Sequence, residues 1–114
     1  MKIHTVVDDG IRIVRLEGEL DLKTATPVKE ALEPVGFGAR PITVLNVAKL
    51  TYVDSAGLAA FIAASRAHAA AGGRLVFAEL APQVRHILQL TRLLSHFTVF
   101  EREAEALAAV RSAS

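Results

Sequence analysis

The sequence contains no cysteine and no tryptophan, and its charges nearly cancel. Without cysteine the chain can form no disulfide framework, no thiolate metal site and no cysteine nucleophile, which is typical of a reducing compartment. The thirteen basic residues are spread singly along the chain against twelve acidic ones, which gives a net charge of +1. Five Phe and one Tyr are too few for a base-stacking platform. We therefore expect no nucleic-acid binding.

Long hydrophobic runs are also missing. The N-terminal segment reaches the acidic pair Asp8-Asp9 before a signal-peptide core could accumulate, and the longest uninterrupted apolar run is 58–64. A membrane-spanning helix needs about 20 apolar residues, so we expect no export, no membrane insertion and a cytoplasmic location. The chain has 114 residues, the length of one domain, and we expect 1–114 to form a single domain with one core.

Signatures of metal and nucleotide sites are absent as well. The four histidines, at positions 4, 68, 86 and 96, include no pair with the spacing of a helical metal site. The Gly-Phe-Gly segment 36–38 lacks a third glycine and does not open a helix after a strand, and there is no P-loop signature. We expect neither a metal nor a cofactor.

Segments rich in β-branched residues predict five strands. Segments 3–7 and 11–17 flank an Asp-Gly turn signal and predict a hairpin. The alternation in the second segment changes phase after Ile13, which is typical either of a bulge or of a strand buried on both faces. The nearly continuous apolar segment 41–47 predicts a central strand. Two shorter strands are predicted at 74–78 and 97–100.

Helical periodicity predicts four helices between and after these strands. They cover 25–35 with Thr24 as N-cap, an alanine-rich segment that ends at Gly72-Gly73, 82–90, and 101–111. The predicted buried residues of the first three helices are Val28, Ala31, Leu32 and Val35; Leu58, Phe61, Ile62, Ser65 and Ala69; and Val84, Ile87 and Leu88. The order β-β-α-β-α-β-α-β-α predicts an α/β fold with a mixed, largely parallel sheet covered by about four helices.

Polar residues cluster where two of these strands end. Asp54-Ser55 occupies a strand-to-helix junction, where a phosphate carried on Ser55 would meet free helix amides. Either residue could equally be only the N-cap of that helix. Glu17 and Glu19 point to the same side of an extended segment and are more simply a solvated strand face, with Asp21 as a loop acid. No nucleophile elbow surrounds Ser55, which argues against a hydrolase.

Three segments resemble the STAS domain family, and within it the single-domain bacterial anti-sigma-factor antagonists. They occur in the family's order across essentially the whole chain. They are Gly-Glu-Leu-Asp at 18–21, Tyr-Val-Asp-Ser-Ala-Gly-Leu at 52–58, and Val-Arg-His-Ile-Leu at 84–88 leading to Leu93 and Phe97.

The resemblance implies partner switching by a protein that is not an enzyme. In the family, the serine that corresponds to Ser55 is phosphorylated by an anti-sigma factor that is itself a serine kinase. The unphosphorylated antagonist binds this kinase and frees the sigma factor, and a phosphatase of the PP2C type resets the switch. Residues expected at the docking surface are Asp21, Asp54, Ala56, Gly57 and Leu58. Many relatives carry Ser or Thr where this chain has Ala56. In the family, Gly often follows the leucine that corresponds to Leu58, where this chain has Ala59-Ala60.

Two other functions stay open at this point. The chain could be a constitutive STAS adaptor or scaffold subunit of a signalling or transporter complex, with Ser55 only a helix cap. It could also be a small-ligand-binding domain or enzyme that uses Asp21, Asp54 and Ser55 as a polar pocket. Phosphorylation of Ser55 would distinguish the switched antagonist from the adaptor. Turnover or ligand-induced thermal stabilisation would indicate a ligand-binding domain or an enzyme.

Overall fold

A single five-stranded sheet forms the centre of the molecule. The computed structural model describes residues 1–34 and 40–112. The strands lie in the sheet in the same order as in the chain, with β1 antiparallel to β2 and all later neighbours parallel. They are β1 Lys2–Asp8, β2 Ile11–Leu20, β3 Ile42–Val53, β4 Arg74–Ala78 and β5 Val99–Phe100. The predicted mixed, largely parallel sheet with β3 at its centre is confirmed.

Helices cover both faces of the sheet. They are α1 Ala25–Ala31, α2 Ser55–Ala70, α3 Pro82–Leu90 and α4 Glu103–Ser112, and a short 3₁₀ turn at Leu94–His96 precedes β5. The larger core lies between the sheet and α1, α2 and α3. A smaller core lies under α4 on the opposite face. The predicted element order is confirmed. In the part of the chain that the structure describes, every helix is too short or too polar to cross a bilayer.

The hairpin and the phase change in β2 both have simple geometric explanations. Asp9 and Gly10 have φ values of 55° and 79°, the positive pair that a type I′ turn requires. Ile13 and Val14 are both buried although they point to opposite faces, because helices cover both sides of β2. The change of phase after Ile13 therefore marks a strand buried on both faces, and the bulges come later in the strand.

Two register shifts shape the ends of β2 and β3. Between the pairs Arg15↔Asn46 and Leu20↔Val53, β3 uses two more residues than β2. The core side chains of β3 in this stretch consequently follow at every third position, at Val47, Leu50 and Val53. Each bulge turns intervening side chains toward solvent and bends the strand. The bulges therefore affect the direction in which the chain leaves β3 and begins α2.

The first helix differs from its predicted extent. It ends at Ala31, and Val35 and the Gly-Phe-Gly segment lie outside the described residues. Pro34 disfavours helical backbone at the residue before it, so the helix ends early. Arg12 of β2 donates hydrogen bonds of 2.8 Å to the carbonyl oxygens of Ala31 and Glu33, which satisfies acceptors exposed by that end.

The predicted buried face of α2 is wrong in several positions. Its buried residues are Gly57, Ala60, Phe61, Ala64 and His68. Leu58, Ile62 and Ser65 are only half-buried and Ala69 is exposed. Small residues such as Gly57, Ala60 and Ala64 allow α2 to approach the sheet closely. The last two elements begin later than predicted. β5 begins at Val99 instead of Phe97, and α4 begins at Glu103 instead of Glu101.

Candidate functional site

Strands β2 and β3 end side by side, and this brings the predicted acidic residues together. Leu20 and Val53 are register partners, and the Asp54 amide donates a hydrogen bond of 3.1 Å to the Leu20 carbonyl. Neighbouring strands lie about 4.8 Å apart. Asp21 directly follows β2 and Asp54 directly follows β3, so the two residues occupy the same edge of the sheet. Ser55 follows directly at the start of α2.

Asp54 caps α2. Its backbone is extended, and its Oδ1 accepts a hydrogen bond of 3.1 Å from the Gly57 amide. Its carbonyl accepts the Leu58 amide at 2.9 Å. Ser55 is the first helical residue, it is exposed, and its hydroxyl forms no hydrogen bond with any residue the structure describes. The N-cap is thus the aspartate, and the serine hydroxyl plays no part in capping.

Asp21 organises the loop that leads into α1. Its Oδ1 accepts hydrogen bonds from the amides of Lys23 and Thr24, at 2.9 and 3.1 Å. Thr24 occupies the predicted N-cap position without capping the helix, because its hydroxyl donates to the Glu19 carbonyl and accepts from the Asp21 amide. These bonds form a compact turn that holds Asp21 half-buried beside the start of α2.

Gly57 lets α2 begin in contact with the strand ends. A Cβ at this buried position would lie 2.6 Å from Val53 Cγ2 and 2.7 Å from Leu20 Cγ, inside the contact distance of carbon atoms. Gly57 therefore acts through close packing and presents no side chain to a partner. Its neighbours Ala56 and Leu58 are half-buried and pack against the core.

Two exposed apolar side chains flank these residues, and sequence reasoning did not single them out. Leu22, directly after Asp21, is 79% exposed, and Tyr52, two residues before Asp54, is 47% exposed. In the sequence, Leu22 lies between two charged residues of a loop, and this could have indicated an exposed leucine. Tyr52 is turned outward by the bulge in β3, which no short pattern reveals. Polar groups with adjacent exposed apolar side chains are typical of protein-binding surfaces.

Comparison with known proteins decides the family. The STAS domain model matches residues 2–106. The chain belongs to the STAS domain family. BtrV of Bordetella bronchiseptica, a candidate anti-sigma factor antagonist, is 32% identical over 99% of this chain and 97% of its own. The resemblance seen in the sequence is confirmed.

Solved structures show the same fold. An anti-sigma factor antagonist from Mycobacterium paratuberculosis has a TM-score of 0.83 at 25% identity, over 96% of this STAS chain and 93% of its own. The anti-sigma factor antagonist SpoIIAA of Bacillus has TM-scores of 0.73 in its unphosphorylated form and 0.71 in its phosphorylated form, both at 22% identity. These two alignments cover 96% of this chain and 98% or 99% of the other.

Glu17 and Glu19 are separated in this STAS domain by the register shift after Gly18. Glu17 pairs with Lys49 and lines a cavity of about 180 Å³ on the sheet face, together with His4 and Arg15. Glu19 is exposed and pairs with Tyr52. The two glutamates therefore do not form one acidic pair. Within the described residues, no group of three His, Asp or Glu side chains could hold a metal ion.

Proposed function

We propose that this STAS protein is an anti-sigma factor antagonist whose binding to an anti-sigma factor is switched by phosphorylation of Ser55. The names of its similar relatives support the first part of the proposal. The second part depends on the chemistry at the start of α2. The partner would be an anti-sigma factor with serine kinase activity, and a PP2C-type phosphatase would restore the unphosphorylated form. Both steps belong in the cytoplasm with the sigma factor.

One observation carries the assignment of Ser55. Because Asp54 supplies the cap, the exposed Ser55 hydroxyl is left without a hydrogen-bond partner among the described residues. A kinase can reach it without first breaking a structural hydrogen bond. The reading of Ser55 as only a helix cap loses its structural basis, since that role is already filled.

The surroundings of Ser55 favour a binding surface over a catalytic pocket. Asp21 and Asp54 each direct Oδ1 to backbone amides, so these oxygens hold local structure. Leu22 and Tyr52 expose apolar area beside them, which a partner protein would cover. We therefore place the docking surface on Asp21, Asp54 and Ser55 with Leu22 and Tyr52 added to it, while Ala56, Gly57 and Leu58 shape it from beneath.

Phosphate on Ser55 would act on binding rather than on folding. It adds a charge of about −1.5 to −2. The first turn of α2 contains no acidic residue, and the free amides and dipole of the helix N-terminus favour an anion there. In a complex, the same charge would be trapped against the partner beside Asp54 and Asp21, where removing it from water is costly. The phosphorylated protein stays folded and releases its partner.

Phosphorylation itself is tested by intact-mass measurement after incubation with the anti-sigma factor kinase and Mg-ATP. We expect the wild-type protein to gain one phosphate and Ser55→Ala to gain none. Ser95→Ala is the matched control, since Ser95 is also exposed, and it should still gain one phosphate. A full adduct on the Ser55→Ala variant would refute the assignment.

The switch is tested by calorimetric titration of the unphosphorylated variants against the same partner. We expect Ser55→Asp and Ser55→Glu to bind at least about tenfold more weakly than wild type, a change of about 1.4 kcal/mol, with unchanged circular dichroism. Ser55→Ala should bind like wild type. Equal affinities for all variants would instead indicate a constitutive STAS adaptor, and an unfolded acidic variant would contradict the local mechanism.

A further inference from the structure

The outer edge of β1 pairs with no other strand in the described part of the chain. β1 is the first strand of the sheet and pairs along its full length with β2, from Lys2↔Glu17 to Asp8↔Ile11, with no register shift. It contains no proline, and Val6 and Val7 are 44% and 70% exposed. Proteins usually protect such edges with proline, bulges or several charges. This edge has none of the first two, and its two charged residues stand only at its ends.

The sequence of β1 is complementary to itself in the antiparallel direction. When two copies of Lys-Ile-His-Thr-Val-Val-Asp are paired about a two-fold axis at Thr5, each Lys2 lies opposite Asp8 of the second copy. Ile3 lies opposite Val7 and Thr5 opposite itself. Opposite charges, β-branched pairs and threonine pairs are all favourable cross-strand neighbours.

Other registers fit less well. In an antiparallel pair, residues directly opposite each other point to the same face of the sheet. The two-fold axis must therefore pass through a residue position, and the alternative registers move it by one residue at a time. An axis at His4 or at Val6 pairs only five residues of the strand and loses both Lys2–Asp8 contacts. The axis at Thr5 pairs all seven residues of β1.

The side chains also lie on the correct faces. Asp8 reaches Arg111 of α4 at 2.6 Å, so it points to the α4 face of the sheet. Lys2 shares this face because side chains alternate along a strand. A two-fold axis perpendicular to the sheet keeps each residue on its face, so Lys2 meets Asp8 of the second copy there. On the opposite face Ile3, which packs partly against the core, would meet the exposed Val7.

We infer that β1 is a self-association edge, through which a second copy of this chain pairs antiparallel and extends the sheet across both molecules. The inference uses none of the residues proposed for phosphorylation. It can fail while Ser55 is still the phosphoacceptor, and the reverse also holds.

Cysteine cross-linking tests the register directly, because the chain has no cysteine of its own. Directly opposite residues have Cβ atoms about 4.5–5.5 Å apart, close enough for a disulfide after a small adjustment. Thr5→Cys should therefore form a disulfide-linked dimer on oxidation. Val7→Cys should not, because the two copies of residue 7 would be offset by about 13 Å. Preferential cross-linking of Val7→Cys over Thr5→Cys would overturn the register.

Sedimentation velocity on the cysteine-free protein tests the association itself. We expect a reversible dimer to form as the protein concentration is raised to about 1 mM. Val7→Lys should weaken the dimerisation affinity at least about tenfold. Leu90→Lys on α3 is the matched control, since Leu90 is also 70% exposed, and it should leave the dimer intact. A protein that stays monomeric, or a dimer equally weakened by Leu90→Lys, would overturn the inference and leave the β1 edge for a segment of another protein.

Discussion

At the scale of single residues, Asp54 combines two tasks at the start of α2. Its Oδ1 accepts the Gly57 amide and so fixes the first helical turn. Its carboxylate also carries a negative charge beside the exposed Ser55, on the surface proposed for docking. A charge effect and a capping effect respond differently to substitution. An asparagine can keep the cap, whereas an alanine removes both functions.

We predict that Asp54→Ala and Asp54→Asn separate these two tasks. Asp54→Ala should lower the free energy of unfolding by about 1 kcal/mol through loss of the cap, and Asp54→Asn should leave it nearly unchanged. Asp54→Asn should nevertheless change partner affinity or the phosphorylation rate, because it removes the charge. Urea denaturation and kinase assays measure the two effects. A stable Asp54→Asn variant with wild-type binding and phosphorylation would show that Asp54 is only a cap.

The sequence predicted which residues meet at this edge better than it predicted what each of them does. Asp21, Asp54 and Ser55 follow the ends of neighbouring strands, and strand order alone brings them close. Both Asp and Ser are good N-caps, so composition could not decide which one caps α2. The backbone conformation decided it, with extended geometry at Asp54 and helical geometry from Ser55 onward.

At the scale of secondary-structure elements, Glu103 makes several polar contacts between α4 and the sheet. Glu103 forms a two-bonded ion pair with Arg15, at 3.0 and 2.8 Å, and accepts a hydrogen bond of 3.0 Å from Asn46. Its own amide donates to the Glu79 carboxylate at 3.0 Å. The hydrogen bond from Arg15 holds the pKa of Glu103 below its ordinary value, although partial burial acts in the opposite direction.

We predict that Glu103→Gln weakens the attachment of α4 and reduces the acid sensitivity of the fold. A carboxylate with a lowered pKa contributes stability that is present above its unfolded pKa of about 4.3 and is lost as pH falls below it. Because Arg15 is 45% exposed, we expect a loss of no more than about 1 kcal/mol at pH 7. Denaturation at pH 7 and below pH 4 measures it. Glu105→Gln, at an exposed position of the same helix, is the control.

Helix α4 also shows what sequence patterns omit. The helix begins with acidic residues and has Arg111 in its last turn, an order that interacts favourably with the helix dipole and can be seen in the sequence. The structure keeps this order and in addition directs Glu103 to Arg15 and Asn46 on the sheet, and Arg111 to Asp8 at the hairpin. These partners are distant in sequence, so no local pattern identifies them. The buried face of α2 was also predicted incorrectly in part, because alanines on every side of this helix give little contrast between its faces.

At the scale of the whole molecule, the packing of α2 against β3 includes a buried polar contact that the sequence did not predict. The fold itself followed from alternating strand and helix patterns, because crossover helices must cover a parallel sheet. On the face of the sheet that carries the larger core, His68 of α2 is completely buried. Its Nε2 lies 2.8 Å from the Thr43 hydroxyl. Its Nδ1 lies 2.8 Å from the Ala64 carbonyl. A carbonyl can only accept, so Nδ1 carries the proton and Nε2 accepts from Thr43.

Burial lowers the pKa of His68 below its usual range, and the positive charge of Arg12 acts in the same direction, against the hydrogen bond to Ala64. The folded protein therefore keeps His68 neutral at pH values where the unfolded chain, with a histidine pKa of about 6.5, binds a proton. Stability linked to His68 is fully present above about pH 6.5 and decreases as pH falls below it, at up to about 1.4 kcal/mol per pH unit. We therefore expect the contact between α2 and β3 to make folding sensitive to mild acid.

We predict that the double variant Thr43→Val/His68→Leu flattens the dependence of unfolding free energy on pH between about 6.5 and 5. The double variant removes the Thr43 hydroxyl together with its acceptor, whereas His68→Leu alone would leave the buried Thr43 hydroxyl without that acceptor and cost about 1–3 kcal/mol at every pH. Urea denaturation at closely spaced pH values measures the slope. His86→Gln, at an exposed position on α3, should keep the wild-type slope. A double variant with the wild-type slope would place the acid sensitivity elsewhere in the molecule and contradict the neutral, buried His68.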